Sequence, residues 1–141
     1  MIDHILVPLD GSSLAECVLP HVVAVARAME ARVTLLRAVV REPSPASSAV
    51  DPLGWHMRKS EADSYLREVV SDLREAGLEA EPVLAEGRAA ERILEYAREE
   101  DVGLIIISSH GESGLSQWNI NSVVQKVILR AYAPIMIVRA Y

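Results

Sequence analysis

The sequence predicts an α/β protein in three layers, a mostly parallel sheet with helices on both faces. Two observations carry that expectation. Short apolar runs alternate with amphipathic helical stretches along the chain, the pattern of βαβ units. Those runs are near-continuous in Val, Ile and Leu, and the chain contains no Phe, as suits strands buried on both faces. Right-handed crossovers leave few topologies, of the doubly wound or flavodoxin-like type. In these, ligands bind past the carboxyl ends of the strands where the winding reverses.

The first strand is Ile5-Leu6-Val7, stopped by Pro8 and followed by Asp10-Gly11-Ser12-Ser13. Ser12 or Ser13 is placed to cap a helix carrying Leu14, Cys17, Val18, Val22, Val25, Ala26 and Met29. Pro20 lies inside it and predicts a kink or a restart. Val33-Thr34-Leu35-Leu36 is the second strand, extending toward Val40. Arg41 to about Trp55 is rich in Pro and Ser and reads as a flexible surface loop.

A helix from about His56 to Glu75 places Ala62, Leu66, Val69, Val70 and Leu73 on one face, with Gly77 at its end. The third strand, Leu78 to Leu84, alternates apolar with acidic residues and contains Pro82, which assigns it to a sheet edge. Ala89 to Arg98 is an amphipathic helix through Ala90, Ile93, Leu94 and Ala97. Leu104 to Ile107 is the fourth strand. A last helix carries Val123, Val124, Val127, Ile128 and Ala131, and the final strand is Ile135-Met136-Ile137-Val138.

At 141 residues the chain reads as one domain, 1–141, with a core of real size. No apolar run approaches the ~18 residues of a membrane span, and MIDHILVPLD lacks the pattern of a signal peptide. The single Cys17 excludes an internal disulfide framework and fits a reducing cytoplasm. Its place in an apolar helical pattern favours packing over a reactive thiol. A net charge of −6 gives no basic footprint for nucleic acid. The expectation is therefore a cytoplasmic protein engaging neither membrane nor nucleic acid.

The chemistry concentrates in LIIISSHGESGLSQWNINS, from Leu104 to Ser122. A buried strand runs into a small-residue loop and then into Asn121-Ser122, good N-cap residues before a helical stripe. Free backbone N–H groups and the positive end of a helix dipole converge there, so a phosphate-bearing ligand is the leading expectation. Other α/β motifs are missing. No G-x-x-x-x-G-K-[ST], G-x-G-x-x-G or G-x-S-x-G occurs, and Asp10 stands without the paired acids of a phosphate receiver. Catalysis is weakly supported, with a slow ATPase as its upper bound.

ILVPLDGS, EGRAAERILEYAREEDVGLIIISSHGESGLS and SVVQKVILRAYAPIMIVR, in this order, resemble the universal stress protein family over essentially the whole chain. The resemblance implies a five-stranded sheet in the order 3-2-1-4-5, a flavodoxin- or Rossmann-like fold of the adenine nucleotide alpha hydrolase type. Many members bind ATP through Gly, two residues, Gly, nine residues, then Gly-Ser or Gly-Thr. That pattern falls on Ser108, Gly111 and Asn121-Ser122. The resemblance also puts Pro8, Leu9 and Asp10 beside the nucleoside, with Asp10 accepting bonds from ribose hydroxyls. Ala38 or Val39 lines the adenine pocket, and His110, Gly114 and Val123 complete the nucleotide set.

Two of the three motif glycines are replaced, by Ser108 and Asn121. Glu112 stands where many similar members carry a base, and an acid there repels a polyphosphate by roughly 1 kcal/mol when solvated. The departures favour a less charged ligand, AMP or a cyclic nucleotide, or a weakened ATP site using Mg²⁺. Asp10 has a plainer role as a helix cap or as the brace of the Gly11-Ser12 turn, and a loop histidine such as His110 more often braces its turn than moves protons. Ser109, Ser113, Ser116 and Ser122 serve equally as turn caps or phosphate ligands, Ser122 being best placed. Trp55 and Trp118 read as cover for the core.

In the order 3-2-1-4-5 the strand Ile135 to Val138 is a bare apolar edge, an aggregation hazard unless paired. Pairing with the same strand of a second copy removes it with twofold symmetry, and the resemblance implies that homodimer; the chain's own tail is the alternative cover. The expected role is a nucleotide-responsive dimeric sensor or interaction module, with ATP or AMP as cofactor. The alternative is a dimeric structural or interaction protein that has lost nucleotide binding.

Overall fold

The computed structural model describes residues 2–13, 15–41, 52–110 and 122–139. Strands β1 (His4–Pro8), β2 (Arg32–Val39), β3 (Ala80–Glu86), β4 (Leu104–Ser108) and β5 (Ile135–Val138) alternate with helices α1 (Leu19–Met29), α2 (Pro52–Glu75), α3 (Ala89–Glu99) and α4 (Ser122–Arg130). The strands form one sheet in the order β3-β2-β1-β4-β5, every pair parallel. The winding reverses between β1 and β4, which pair Ile5 with Leu104 and Leu6 with Ile105.

Strand alternation sorts the core into two layers. Ile5, Val7, Leu35 and Ile106 pack with Val22 of α1 and Leu66, Val70 and Leu73 of α2. Leu6, Leu36, Ile105 and Ile107 pack on the other face with Ile93 of α3 and Val124 and Val127 of α4. β1 and β4 are buried along their whole length. β3 is an edge strand, where the missing N–H of Pro82 costs no ladder bond.

Two boundaries differ from the sequence expectation, while at Pro20 the helix restarts as expected. The third strand is Ala80–Glu86 rather than Leu78 to Leu84. Leu78 instead closes the end of α2, its N–H donating to the Leu73 carbonyl at 3.1 Å while the Gly77 N–H reaches Arg74 at 3.0 Å. This is the Schellman arrangement, with Gly77 at φ 90°. α2 starts at Pro52, so the end of the expected 41–55 loop is helical. Proline suits a first helical turn, and the early start buries Trp55. Arg41, Arg58 and Lys59 lie 5.6, 5.6 and 5.5 Å from its ring centroid, within cation–π range. Ahead of Pro20 the chain forms a 3₁₀ turn (Ala15–Val18), and α1 restarts with Pro20 in its first turn.

Candidate functional site

The residues just past β1 (9–13) and just past β4 (109–110) sit at the same end of the sheet because those strands are neighbours. With the end of β2 they wall a cleft holding about 480 Å³ of empty space, its open mouth included, lined by Pro8, Leu9, Asp10, Ala15, Leu36, Ala38, Ala89, Ile93, Ile107, Ser108, His110, Val123 and Val124. Its largely apolar lining with a few convergent polar groups is the character of a small-ligand site. Of its described lining, Asp10, Ser108 and His110 carry polar side chains, and none is lysine or arginine.

Asp10 is held by local chemistry. Its Oδ1 accepts the Ser12 N–H at 2.9 Å and the Ser12 hydroxyl at 2.6 Å, while Ser12 Oγ accepts the Ala15 N–H at 3.1 Å. The carboxylate therefore braces the turn, and Ser12 rather than Asp10 caps the 3₁₀ helix. Gly11 turns the chain at φ 88°, a conformation glycine adopts without steric cost.

Across the cleft, the Ser108 hydroxyl donates to the His110 carbonyl at 2.6 Å and accepts the His110 N–H at 3.3 Å. The Cys17 thiol lies 3.5 Å from the same oxygen, so this half-buried cysteine adjoins the cleft. His110 Nδ1 shares a 2.8 Å hydrogen bond with the Ser109 hydroxyl, and the Ser109 N–H extends the β4–β5 ladder to Val138 at 2.9 Å. Ser108, Ser109 and His110 are all buried. The expected bracing by His110 thus divides between its backbone, tied to Ser108, and its ring, tied to Ser109.

Of the sequence-predicted residues, the cleft brings together Pro8, Leu9, Asp10, Ala38, Ser108, His110 and Val123. Val39 does not line it; its carbonyl accepts the Gly87 N–H at 2.9 Å. Ser122 is the exposed first residue of α4, outside the lining. Gly111, Gly114 and Asn121, with Glu112 and Trp118, lie outside the described residues. Sequence reasoning missed Ala15, Leu36, Ala89, Ile93, Ile107 and Val124, which form much of the apolar wall. Their one signal is register: Leu36 and Ala38 are two apart on a strand and so share a face. Among the described residues no cluster of His, Cys, Asp or Glu is arranged to hold a metal, and no helix is long and apolar enough to cross a membrane.

The sequence profile of the Universal stress protein family matches residues 1–139. Universal stress protein YxiE of Bacillus subtilis (strain 168) is 30% identical, the match covering 99% of this chain and 100% of that protein. The solved structure of MJ0577, a protein of Methanocaldococcus jannaschii, superposes with a TM-score of 0.87 at 27% identity, over 99% of this chain and 96% of that one. A universal stress protein solved in complex with cAMP has a TM-score of 0.76 at 20% identity, covering 99% and 98% of the two chains. Fold, strand order and sequence agree, and the chain belongs to the universal stress protein family.

Proposed function

We propose that the cleft binds an adenine mononucleotide and that the protein works as a nucleotide-responsive dimeric module rather than an enzyme. The observation that carries the reading is the placement of Asp10, Ser108 and His110 around an apolar cleft at the point where the sheet reverses its winding. In this reading adenine rests against Leu36, Ala38 and Ile93, and the ribose faces Asp10. The phosphate lies toward Ser108, His110 and the start of α4 at Ser122 and Val123, where helix N–H groups favour an anion. Family proteins solved with cAMP, dAMP and AMP support the ligand class.

With no lysine or arginine in the described lining, phosphate binding rests on N–H and hydroxyl donors. That favours the one or two charges of AMP or a cyclic nucleotide over ATP with Mg²⁺. A homodimer through β5 completes the reading. Ile137 of this edge strand is 37% exposed, and Leu129 and Tyr132, which precede the strand, are 82% and 95% exposed. Nucleotide binding would then change the surface that the dimer offers to partners.

Thermal unfolding with AMP, cyclic AMP, ADP, ATP and GTP, with and without Mg²⁺, tests the ligand. A nucleotide at ~100 times its Kd adds about 2.7 kcal/mol, a shift of several degrees. The expected ranking puts AMP or cyclic AMP first and leaves GTP without effect. Flat curves throughout would overturn the reading and leave a structural or interaction dimer.

A further inference from the structure

Arg37 of β2 and Tyr65 of α2 lie outside the cleft, yet both act on the loop that carries Asp10. The Arg37 guanidinium passes directly against Gly11, where an added Cβ would collide with it and stand 3.0 Å from Cζ. The φ of 88° is what calls for glycine at position 11, and its missing side chain lets the cation pack onto the backbone there. The same guanidinium lies 5.4 Å from the centroid of the Tyr65 ring, a stacking that limits its rotamers. The buried Tyr65 hydroxyl faces Glu16, in the 3₁₀ turn that ends the same loop, and burial together with that carboxylate holds the phenol firmly protonated. The turn that carries Asp10 is therefore packed against β2 at Gly11, with the Tyr65 ring of α2 stacked on the same guanidinium.

We propose that Arg37, stacked on Tyr65 and packed against Gly11, is a positioning residue that fixes the Asp10 carboxylate for ribose hydroxyls, so that ribose selectivity is set from outside the cleft. The Ser12 bonds orient the carboxylate relative to its own turn. They do not fix that turn relative to the sheet; the Leu9 N–H, donating to the Leu36 carbonyl at 2.9 Å, ties its start to β2, and the cation packed against Gly11 holds it one step further on. Without the cation the turn shifts, and a displacement of even an ångström removes the alignment a charged hydrogen bond needs.

The inference rests on the reading of Asp10 as the ribose acceptor, and the experiment separates the two. Calorimetric affinities for AMP and 2′-deoxy-AMP are measured on the full chain, on Asp10→Asn and on Arg37→Met. Wild type is expected to favour AMP by roughly tenfold or more, the worth of one hydrogen bond to a charged group. Asp10→Asn should erase most of that preference. Arg37→Met should cut it at least threefold while adenine recognition, read as the AMP-to-GMP ratio, stays unchanged. Equal losses for AMP and 2′-deoxy-AMP in Arg37→Met would make Arg37 merely structural and overturn the proposal. No preference in wild type, and none lost in Asp10→Asn, would overturn the ribose reading and the proposal with it. Arg37→Gln, which keeps most of the side-chain stem, carries the same expectation should the methionine variant fold poorly.

Discussion

His4 and Thr34 meet across β1 and β2 with their side chains sealed from solvent, Nε2 of the one 2.8 Å from Oγ1 of the other. Thr34 Oγ1 also lies 3.1 Å from the Tyr96 hydroxyl of α3, whose ring meets the imidazole edge-on at 5.9 Å. This polar chain ties three elements at the end of the sheet opposite the cleft.

Burial pushes the His4 pKa below its ordinary 6.5; the Arg32 cation adds to the effect, and the Glu100 backbone with the Glu81 and Glu100 carboxylates opposes it. The unfolded chain therefore takes up a proton near pH 6.5, whereas the folded chain does so only at lower pH. The stability from neutral His4 is complete above pH 6.5 and is lost as pH falls from there through the folded value. Urea unfolding from about pH 8 to about pH 5 should show stability declining on the acid side. His4→Gln should flatten that decline whatever its effect at neutral pH. An equal decline in both proteins would show that His4 is not its source.

A second prediction concerns helix ends. α1 stops in a Schellman turn, with the Ala31 N–H on the Ala26 carbonyl at 3.0 Å and Glu30 left-handed at φ 54°. A non-glycine residue in that conformation costs about 1–2 kcal/mol, of which glycine's greater unfolded-state freedom takes back part. Glu30→Gly should therefore stabilise by about 0.5–1 kcal/mol, a few degrees in Tm. Gly77→Ala is the converse: nothing lies within 4 Å of an added Cβ, so any loss reflects the φ of 90° alone. About 1 kcal/mol is expected.

These caps show where sequence reading ends. The alternation of strands and helices follows from apolar runs and turn residues, and β3 declared itself an edge through Pro82; the strand order, and with it the pairing of β1 with β4, comes from the family resemblance. Those signals are local or carried by family resemblance. Glu30 and Asp101 (φ 51°) end helices without glycine, so neither stop is marked in composition. Pro52-Leu53-Gly54 reads as a turn yet begins α2, because burying Trp55 outweighs the propensity of three residues. The apolar cleft wall uses the same residue types as the core, and only register separates Ile107 in the cleft from Ile106 behind it. The packing of Arg37 on Gly11 joins residues that no short motif spans.

For the proposed dimer, β5 supplies the test. Ile137→Lys puts a charge on the edge strand at a partly exposed position, the device that natural edges use against pairing. Light scattering after size exclusion should find a dimer for wild type and a larger monomer fraction for Ile137→Lys, with unchanged circular dichroism. A wild-type monomer at tens of micromolar would overturn the assembly.

The last prediction follows from the end of β4. The Ser108 hydroxyl joins both backbone groups of His110 to the strand, with the Cys17 thiol beside it. Ser108→Ala removes that junction with little change in volume. The fold should lose about 1–2 kcal/mol, since buried groups of His110 lose a partner. The effect on ligand separates two views of the junction. If it serves only the strand end, AMP affinity stays within twofold of wild type once folding is complete. If it pre-shapes the phosphate end of the cleft, AMP must order the loop itself, and affinity falls several-fold. Adenosine, which has no phosphate, should then bind both proteins alike. We expect the second pattern, because the hydroxyl bonds to His110, which lines the cleft, and lies beside Cys17, which adjoins it. Parallel losses for AMP and adenosine would count against it.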